Sequence, residues 1–162
     1  MLKILEELDQ SFSQKRKENL LLEELWFNLK WSRWKDLPKE DKFTKEKPDQ
    51  FAYLSNFETK RNVGDFYARK IRGFLRPPED GEYTFWLLSD DSSILQIAQP
   101  DSKNFRKIIE VESNTAYSWN TSVESEKVFL RQQNEYEIQI IHKEDGGEDF
   151  CAVGWLSLIH IW

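Results

Sequence analysis

Two neighbouring aspartates are the residues of this chain whose type and spacing best suit metal chemistry. Asp90 and Asp91 follow residues 83–88, an aromatic and apolar run of strand length. Successive side chains on an ordinary strand point to opposite faces, so the pair can share one cation only if the backbone turns sharply between them. Calcium takes about six to eight oxygen ligands and favours carboxylates. Before the strand at 93–98, residues 90–92 are predicted to form a hairpin turn. The alternative to a shared cation is that both Asp side chains accept backbone N–H groups in that turn.

Three other side chains could do chemistry. His142 ends a predicted strand, but no Ser or Cys nucleophile motif accompanies it, so a packed or hydrogen-bonded histidine is expected. Cys151 lies on an apolar strand, where a buried free thiol is the usual state. Asn120 begins Asn-Thr-Ser, an N-glycosylation acceptor that matters only if the protein enters a secretory pathway. We predict no enzyme in this chain, so any catalysis would lie in other domains of a parent protein.

Size and composition narrow the class of protein. The 162 residues suffice for one domain with a core, and 14% of them are aromatic, including 7 Trp. The net charge is −6, and Lys and Arg are scattered among acids, which argues against nucleic acid as a partner. No apolar run approaches the roughly 18 to 20 residues that span a bilayer. A single Cys cannot form an internal disulfide.

Short strands separated by turns predict an all-β fold, an antiparallel barrel or sandwich with a short N-terminal helix. The helix covers about 1–19, and a second short helix is expected at 31–37, followed by an exposed connection over 38–50. Residues 20–31 fit either a helix or a strand. A turn is predicted at 143–149, where two glycines can take positive φ. The remaining predicted strands are 71–75, 83–88, 93–98, 106–111, 128–130, 135–141 and 150–155.

Four motifs in one order carry a resemblance to a known family. They are Arg72-Gly73-Phe74, residues 77–85 (Pro-Pro-Glu-Asp-Gly-Glu-Tyr-Thr-Phe), residues 89–92 (Ser-Asp-Asp-Ser), and a closing pattern of His142, a Gly/Asp-rich loop and Gly154-Trp155. They resemble the protective-antigen (PA14) domain, an antiparallel β-barrel module of glycosidases, glycosyltransferases, adhesins and toxins. The resemblance covers about 21–155 and implies a strand at about 23–29.

The resemblance also implies a binding site. Several members of the family bind sugar through a calcium ion held by an Asp-Asp pair with a cis peptide bond, and a loop between the last strands adds oxygens. This implies calcium ligands at Asp90, Asp91 and either Glu144 or Asp145, and carbohydrate contacts at Asp90, Asp91 and Asp149. Sugar-binding adhesins usually place Asn on that loop, whereas this sequence has acids and glycines.

The function implied is a non-catalytic carbohydrate-binding module, calcium-assisted, cut from a larger extracellular, cell-surface or lumenal protein. Its partners would be a glycan and the other domains of the parent. The alternative is a structural or protein-interaction barrel without sugar binding, accessory to a glycosyltransferase or glycosidase. The location is inferred from the family alone. The chain itself opens on a charged helical stretch and shows no signal peptide.

The sequence suggests three segments. Residues 1–20 would be an N-terminal helix or linker, and 21–155 the β-module. Residues 156–162 form an apolar tail that resembles one reading frame of the transposase end sequence used to prepare sequencing libraries. We therefore expect the tail to be non-native, the alternative being a last native strand.

Overall fold

Ten β-strands form the framework of the structure, a computed structural model that describes residues 10–15, 18–29, 33–113, 115 and 118–157. Every pairing among these strands is antiparallel. In chain order the strands are β1 (Leu21–Trp26), β2 (Gln50–Leu54), β3 (Tyr67–Leu75), β4 (Gly81–Asp90), β5 (Ser92–Ala98), β6 (Phe105–Val111), β7 (Val123–Glu124), β8 (Val128–Leu130), β9 (Tyr136–Glu144) and β10 (Phe150–Ser157).

The strands form two sheets. The six-stranded sheet has the order β2-β1-β3-β9-β5-β6, and the four-stranded sheet has the order β10-β4-β7 with β8 also paired to β4. The two sheets face each other without closing into a barrel, so the all-β antiparallel prediction is confirmed in its sandwich form. None of the helices among the described residues has the length and apolarity needed to cross a membrane.

The core lies between the sheets and follows the two-residue period of the strands. The predicted inward face of β9 is confirmed, since Tyr136, Ile138 and Ile140 are all buried in the main apolar cluster. On the facing sheet, Phe85 and Leu87 of β4 are fully buried. Alternate residues of these strands point outward, which is why only every second side chain joins this cluster.

Helical segments cover part of the outer face of the six-stranded sheet. A helical turn at 10–15 places Phe12 in a stacked contact with Phe74, with ring centroids 5.4 Å apart. This confirms the N-terminal helix over those residues, while 1–9 and 16–17 lie outside the described residues. A 3-10 turn (Leu37–Lys39) and a short helix (Asp41–Lys45) follow, and the helix packs Phe43 on Trp26. The interpretation of 38–50 as an exposed connection is therefore wrong in part.

The chain changes sheet at the aspartate pair. β4 belongs to the four-stranded sheet and β5 to the six-stranded sheet, so Asp91 is a crossover residue and the predicted hairpin turn at 90–92 is wrong. The predicted turn at 143–149 also begins late, because β9 continues to Glu144.

The predicted strand boundaries shift at both ends of the module. β1 begins and ends earlier than the predicted 23–29, at Leu21 and Trp26. β10 includes Leu156 and Ser157, which pair with Thr84 and Tyr83. Residues 158–162 lie outside the described residues, and the origin of the tail stays a prediction.

Candidate functional site

One end of the sandwich brings the predicted site residues together. The ladder pairs Asp90 with Phe150 and Glu144 with Tyr67, so β4 and β9 end at the level where β10 and β3 begin. β5 pairs with β9, and Ser92 lies opposite Lys143, so the crossover at Asp91 lies beside the end of β9. The sequence separates Asp91 from Glu144 by more than fifty residues, and this strand pairing makes them neighbours.

Asp91 is tied to β9 and to the loop that follows it. Its backbone N–H donates to Oε2 of Glu144 over 3.2 Å, and its own Oδ2 accepts the backbone N–H of Asp145 over 3.1 Å. The Ser89 hydroxyl donates to the Asp91 carbonyl over 2.7 Å. The peptide bond between Asp90 and Asp91 is cis. The Asp91 carboxylate is thus held against the loop of 145–149 and does not cap a turn of its own.

Glu144 is a buried carboxylate with spare bonding capacity. Its side chain is fully buried, and Oε1 makes no hydrogen bond of normal geometry with any described residue, although the backbone N–H of Gly146 approaches the group. Burial, followed by the nearby negative charge of Asp91, raises the pKa of Glu144 to about 8. A carboxylate in this state gains from any cation placed against it.

Asp145 faces a different partner. Lys143, which is buried, donates from Nζ to the Asp145 Oδ1 over 2.8 Å and to the Glu144 carbonyl over 2.6 Å. Each of these two candidate ligands has one carboxylate oxygen engaged, but Glu144 is buried and faces Asp91, whereas Asp145 is exposed and faces an ammonium group.

Asp149 is buried in a network of its own, and this corrects its expected role as a sugar contact. It has no exposed surface. Its Oδ2 accepts the backbone N–H groups of Val63 at 2.5 Å and Gly64 at 3.2 Å, and its Oδ1 accepts the Tyr67 hydroxyl at 2.8 Å. In this structure Asp149 fixes the segment at 62–64 against the start of β10 and presents no surface to a ligand.

A buried arginine completes that network, and sequence reasoning missed it. Arg69 is 1% exposed; its Nε lies 2.9 Å from Oε1 of Glu23 and its Nη2 lies 3.6 Å from Oδ1 of Asp149. Glu23 lies on β1 and Arg69 on β3, both on core-facing positions of their strands. The sequence offers one indication of this pair, because each strand has a charged residue among its inward-facing positions. Glu23 lies between Leu21 and Leu25, and Arg69 precedes Ile71 by two residues.

The remaining candidate residues have structural surroundings. His142 is fully buried, its Nε2–H donates to the Asp90 carbonyl over 2.7 Å, and burial, with a further contribution from Arg69, lowers its pKa to about 3. Cys151 is a buried free thiol, and burial raises its pKa to about 12. Both expectations are confirmed. Asn120 lies on the turn before β7.

The acids at this end meet some of the requirements for binding a hard divalent cation. Asp91 and Glu144 converge, Asp90 adjoins them, and Glu144 supplies a buried oxygen that lacks a hydrogen-bond partner. Within the described part of the chain, however, no group of three or more His, Cys, Asp or Glu side chains is already arranged to hold a metal. Since calcium also accepts backbone carbonyl oxygens, three carboxylates in ready position are not a requirement.

Solved structures share this architecture. The sugar-binding PA14 domain of an RTX adhesin superimposes with a TM-score of 0.67 at 13% identity, covering 86% of this chain and 90% of that chain. The A domain of epithelial adhesin 9 from Candida glabrata, solved in complex with Galb1-4GlcNAc, gives a TM-score of 0.59 at 12% identity, covering 86% of this chain and 84% of that one. At these identities the likeness shows the fold.

Sequence comparison adds a relative and a family. N-acetyl-beta-glucosaminyl-glycoprotein 4-beta-N-acetylgalactosaminyltransferase 1 of Mus musculus is 26% identical over 102 residues, which are 57% of this chain and 10% of that protein. The sequence profile of the PA14 domain matches residues 29–158, most of the chain. With the motifs, the antiparallel sandwich and this match in agreement, the chain belongs to the PA14 domain family.

Proposed function

We propose that this chain is a non-catalytic carbohydrate-recognition module, assisted by calcium and forming part of a larger extracellular or lumenal protein. The observation that carries the proposal is the buried Oε1 of Glu144, which makes no hydrogen bond of normal geometry with any described residue and belongs to a carboxylate in contact with Asp91. Such an atom costs free energy unless a proton or a cation compensates it.

Different residues would bind the ion and position the loop beside it. Asp91 and Glu144, with Asp90, would hold the ion, and backbone carbonyl groups nearby would add oxygens of the kind calcium accepts. Bound calcium supplies a centre to which sugar hydroxyl groups can coordinate. The buried network of Asp149 and Arg69 would position the loop of 145–149 without touching the ligand.

The comparisons support a glycan as the ligand class. The RTX adhesin domain is described as sugar-binding, and the Candida glabrata adhesin domain was solved with a disaccharide. The relative in Mus musculus is a glycosyltransferase, ten times the length of the matched region. These likenesses also motivate the proposed extracellular or lumenal location and the larger parent protein.

Calorimetric titration of metal-free protein with calcium tests the ion. We expect saturable uptake, and at a calcium concentration about a hundredfold above Kd a gain of about 2.7 kcal/mol in the free energy of unfolding, or roughly 5–10 °C in Tm. Glu144→Gln and the double substitution Asp90→Ala, Asp91→Ala should both abolish the gain. Glu148→Gln, an exposed acid of the same loop, is the matched control and should keep it.

A glycan array read with and without a chelator tests the sugar. Binding that chelation abolishes is the expected result. Calcium uptake without binding to any glycan would favour the alternative of a structural or protein-docking module. Absence of calcium uptake by the folded protein, with wild type and the double variant melting alike, would remove the proposed site altogether.

A further inference from the structure

A candidate modification site lies on the outer face of the four-stranded sheet, on the turn before β7. Asn120, Thr121 and Ser122 form the only Asn-X-Ser/Thr sequence in the 162 residues, and X is not Pro. The sequence falls in a 3-10 turn, Trp119–Thr121, immediately before β7. N-glycans require an acceptor of this kind in a surface position.

The turn fixes its backbone but leaves the acceptor amide free. The Ser118 hydroxyl accepts the backbone N–H of Asn120 over 3.3 Å, and the hydroxyl of Thr121 donates to the Ser118 carbonyl over 2.7 Å. The hydroxyl of Ser122 donates to the Trp119 carbonyl over 2.7 Å. Asn120 is exposed, and among the described residues its side-chain amide makes no hydrogen bond.

An exposed aromatic ring stands next to the acceptor. Trp119 is 53% exposed, a large apolar surface for one side chain. Its ring lies over Gly154 of β10, where a Cβ added to the glycine would be 3.4 Å from two ring atoms. The glycine thus lets the indole lie close to the sheet while much of the ring still contacts water. The acceptor Asn120 is the next residue along the chain.

We propose that Asn120 is N-glycosylated and that the first sugar of its glycan packs on the Trp119 ring. The Nδ2 atom of Asn120 forms a bond to C1 of the reducing-end N-acetylhexosamine of a lipid-pyrophosphate-linked oligosaccharide. The bond from C1 to the pyrophosphate oxygen breaks, the lipid pyrophosphate leaves with its electron pair, and the displaced amide proton passes to a base of the transferring enzyme. The inference rests on the extracellular or lumenal location in the proposed function.

Occupancy is tested by directing the full chain into the secretory pathway of a eukaryotic cell with a cleavable leader. We expect one N-glycan by intact mass, removed by an amidase that leaves Asp at position 120. Asn120→Gln and Ser122→Ala should abolish it, whereas Ser122→Thr, which keeps the acceptor hydroxyl, should retain it. Secreted, folded protein that carries no glycan at Asn120 would overturn the proposal.

Packing on the ring is tested separately by comparing the glycosylated protein with its enzymatically deglycosylated form. For wild type we expect removal of the glycan to lower Tm by roughly 2–4 °C, and the N-acetyl methyl resonance to be shifted upfield by the indole ring. Both effects should vanish in Trp119→Ala. An equal Tm change in the two proteins would refute the contact. Neither readout involves calcium or a glycan ligand, so this proposal and the lectin proposal can fail independently.

Discussion

Replacing Asp149 by Asn should destabilise the fold even when no calcium or sugar is present. The substitution keeps the volume of the side chain but removes its charge and one acceptor oxygen. That oxygen pair now takes the Tyr67 hydroxyl on one side and two backbone N–H groups on the other, with Arg69 Nη2 3.6 Å from Oδ1. An amide must turn its NH2 toward one of these donor sets, and the buried Tyr67 hydroxyl and Arg69 have no water to turn to instead.

The size of the loss follows from the buried arginine. Removing one partner of a buried ion pair costs about 3–5 kcal/mol, because the other charge is left uncompensated. Glu23 stays 2.9 Å from Arg69, closer than Asp149 was, so part of the compensation survives. We therefore expect about 3 kcal/mol, a large share of the roughly 5–15 kcal/mol that stabilises a domain.

Urea unfolding followed by tryptophan fluorescence in the presence of a chelator measures this loss. With an m value of about 2 kcal/mol/M, the midpoint should fall by about 1.5 M. Glu148→Gln removes one charge from an exposed residue of the same loop and should shift the midpoint little. If Asp149→Asn unfolded at the same urea concentration as Glu148→Gln, Asp149 would not hold these loops together and the assignment of a positioning role would be wrong.

Three further changes test other parts of the structure. Because burial lowers the pKa of His142 to about 3, the stabilising contribution of the neutral imidazole is complete above pH 6.5 and is lost as pH falls toward 3. The unfolding free energy of the wild type should therefore decline over that range, and His142→Gln should reduce the decline by up to about 5 kcal/mol. An unchanged decline in the variant would contradict the shift. Gly73→Ala places a Cβ 2.1 Å from Leu21 Cδ2, so thermal unfolding should show a loss of about 1–3 kcal/mol, partly recovered when Leu21 is shortened to Ala. Phe12→Ala should cost about 3 kcal/mol by urea unfolding, since the ring is 4% exposed and stacks on Phe74; a neutral result would show that the N-terminal helical turn does not belong to the folding unit.

Much of the fold could be predicted because its signals are local. The run of aromatic and apolar residues in β4 and the alternation of Tyr136, Ile138 and Ile140 in β9 each specify a strand within a few residues. The motifs around Asp90 and Asp91 indicate the family and the end of the molecule that carries the candidate site.

The parts that could not be predicted depend on pairing between distant strands. An apolar run does not reveal which sheet its strand joins, so the sequence predicts a hairpin turn where the structure has the crossover at Asp91. The polar end of β9 likewise predicts a turn, although β3 and β5 flank it and bury Lys143 and Glu144. The pairing of Glu23 with Arg69 required the register of β1 on β3, which neither strand encodes by itself.

The surroundings of each acid at this end of the sandwich, more than its place in the sequence, determine whether it can bind a cation. Asp149 has donors on both carboxylate oxygens, so it has nothing left to offer a ligand, and its charge is balanced inside the protein by Arg69. Asp145 is partly engaged by Lys143. Glu144 is buried against Asp91, and its Oε1 makes no hydrogen bond of normal geometry with any described residue. Because burial and the negative charge of Asp91 raise the pKa of Glu144 to about 8, the group keeps a proton near neutral pH, and a cation beside Glu144 and Asp91 would take the place of that proton.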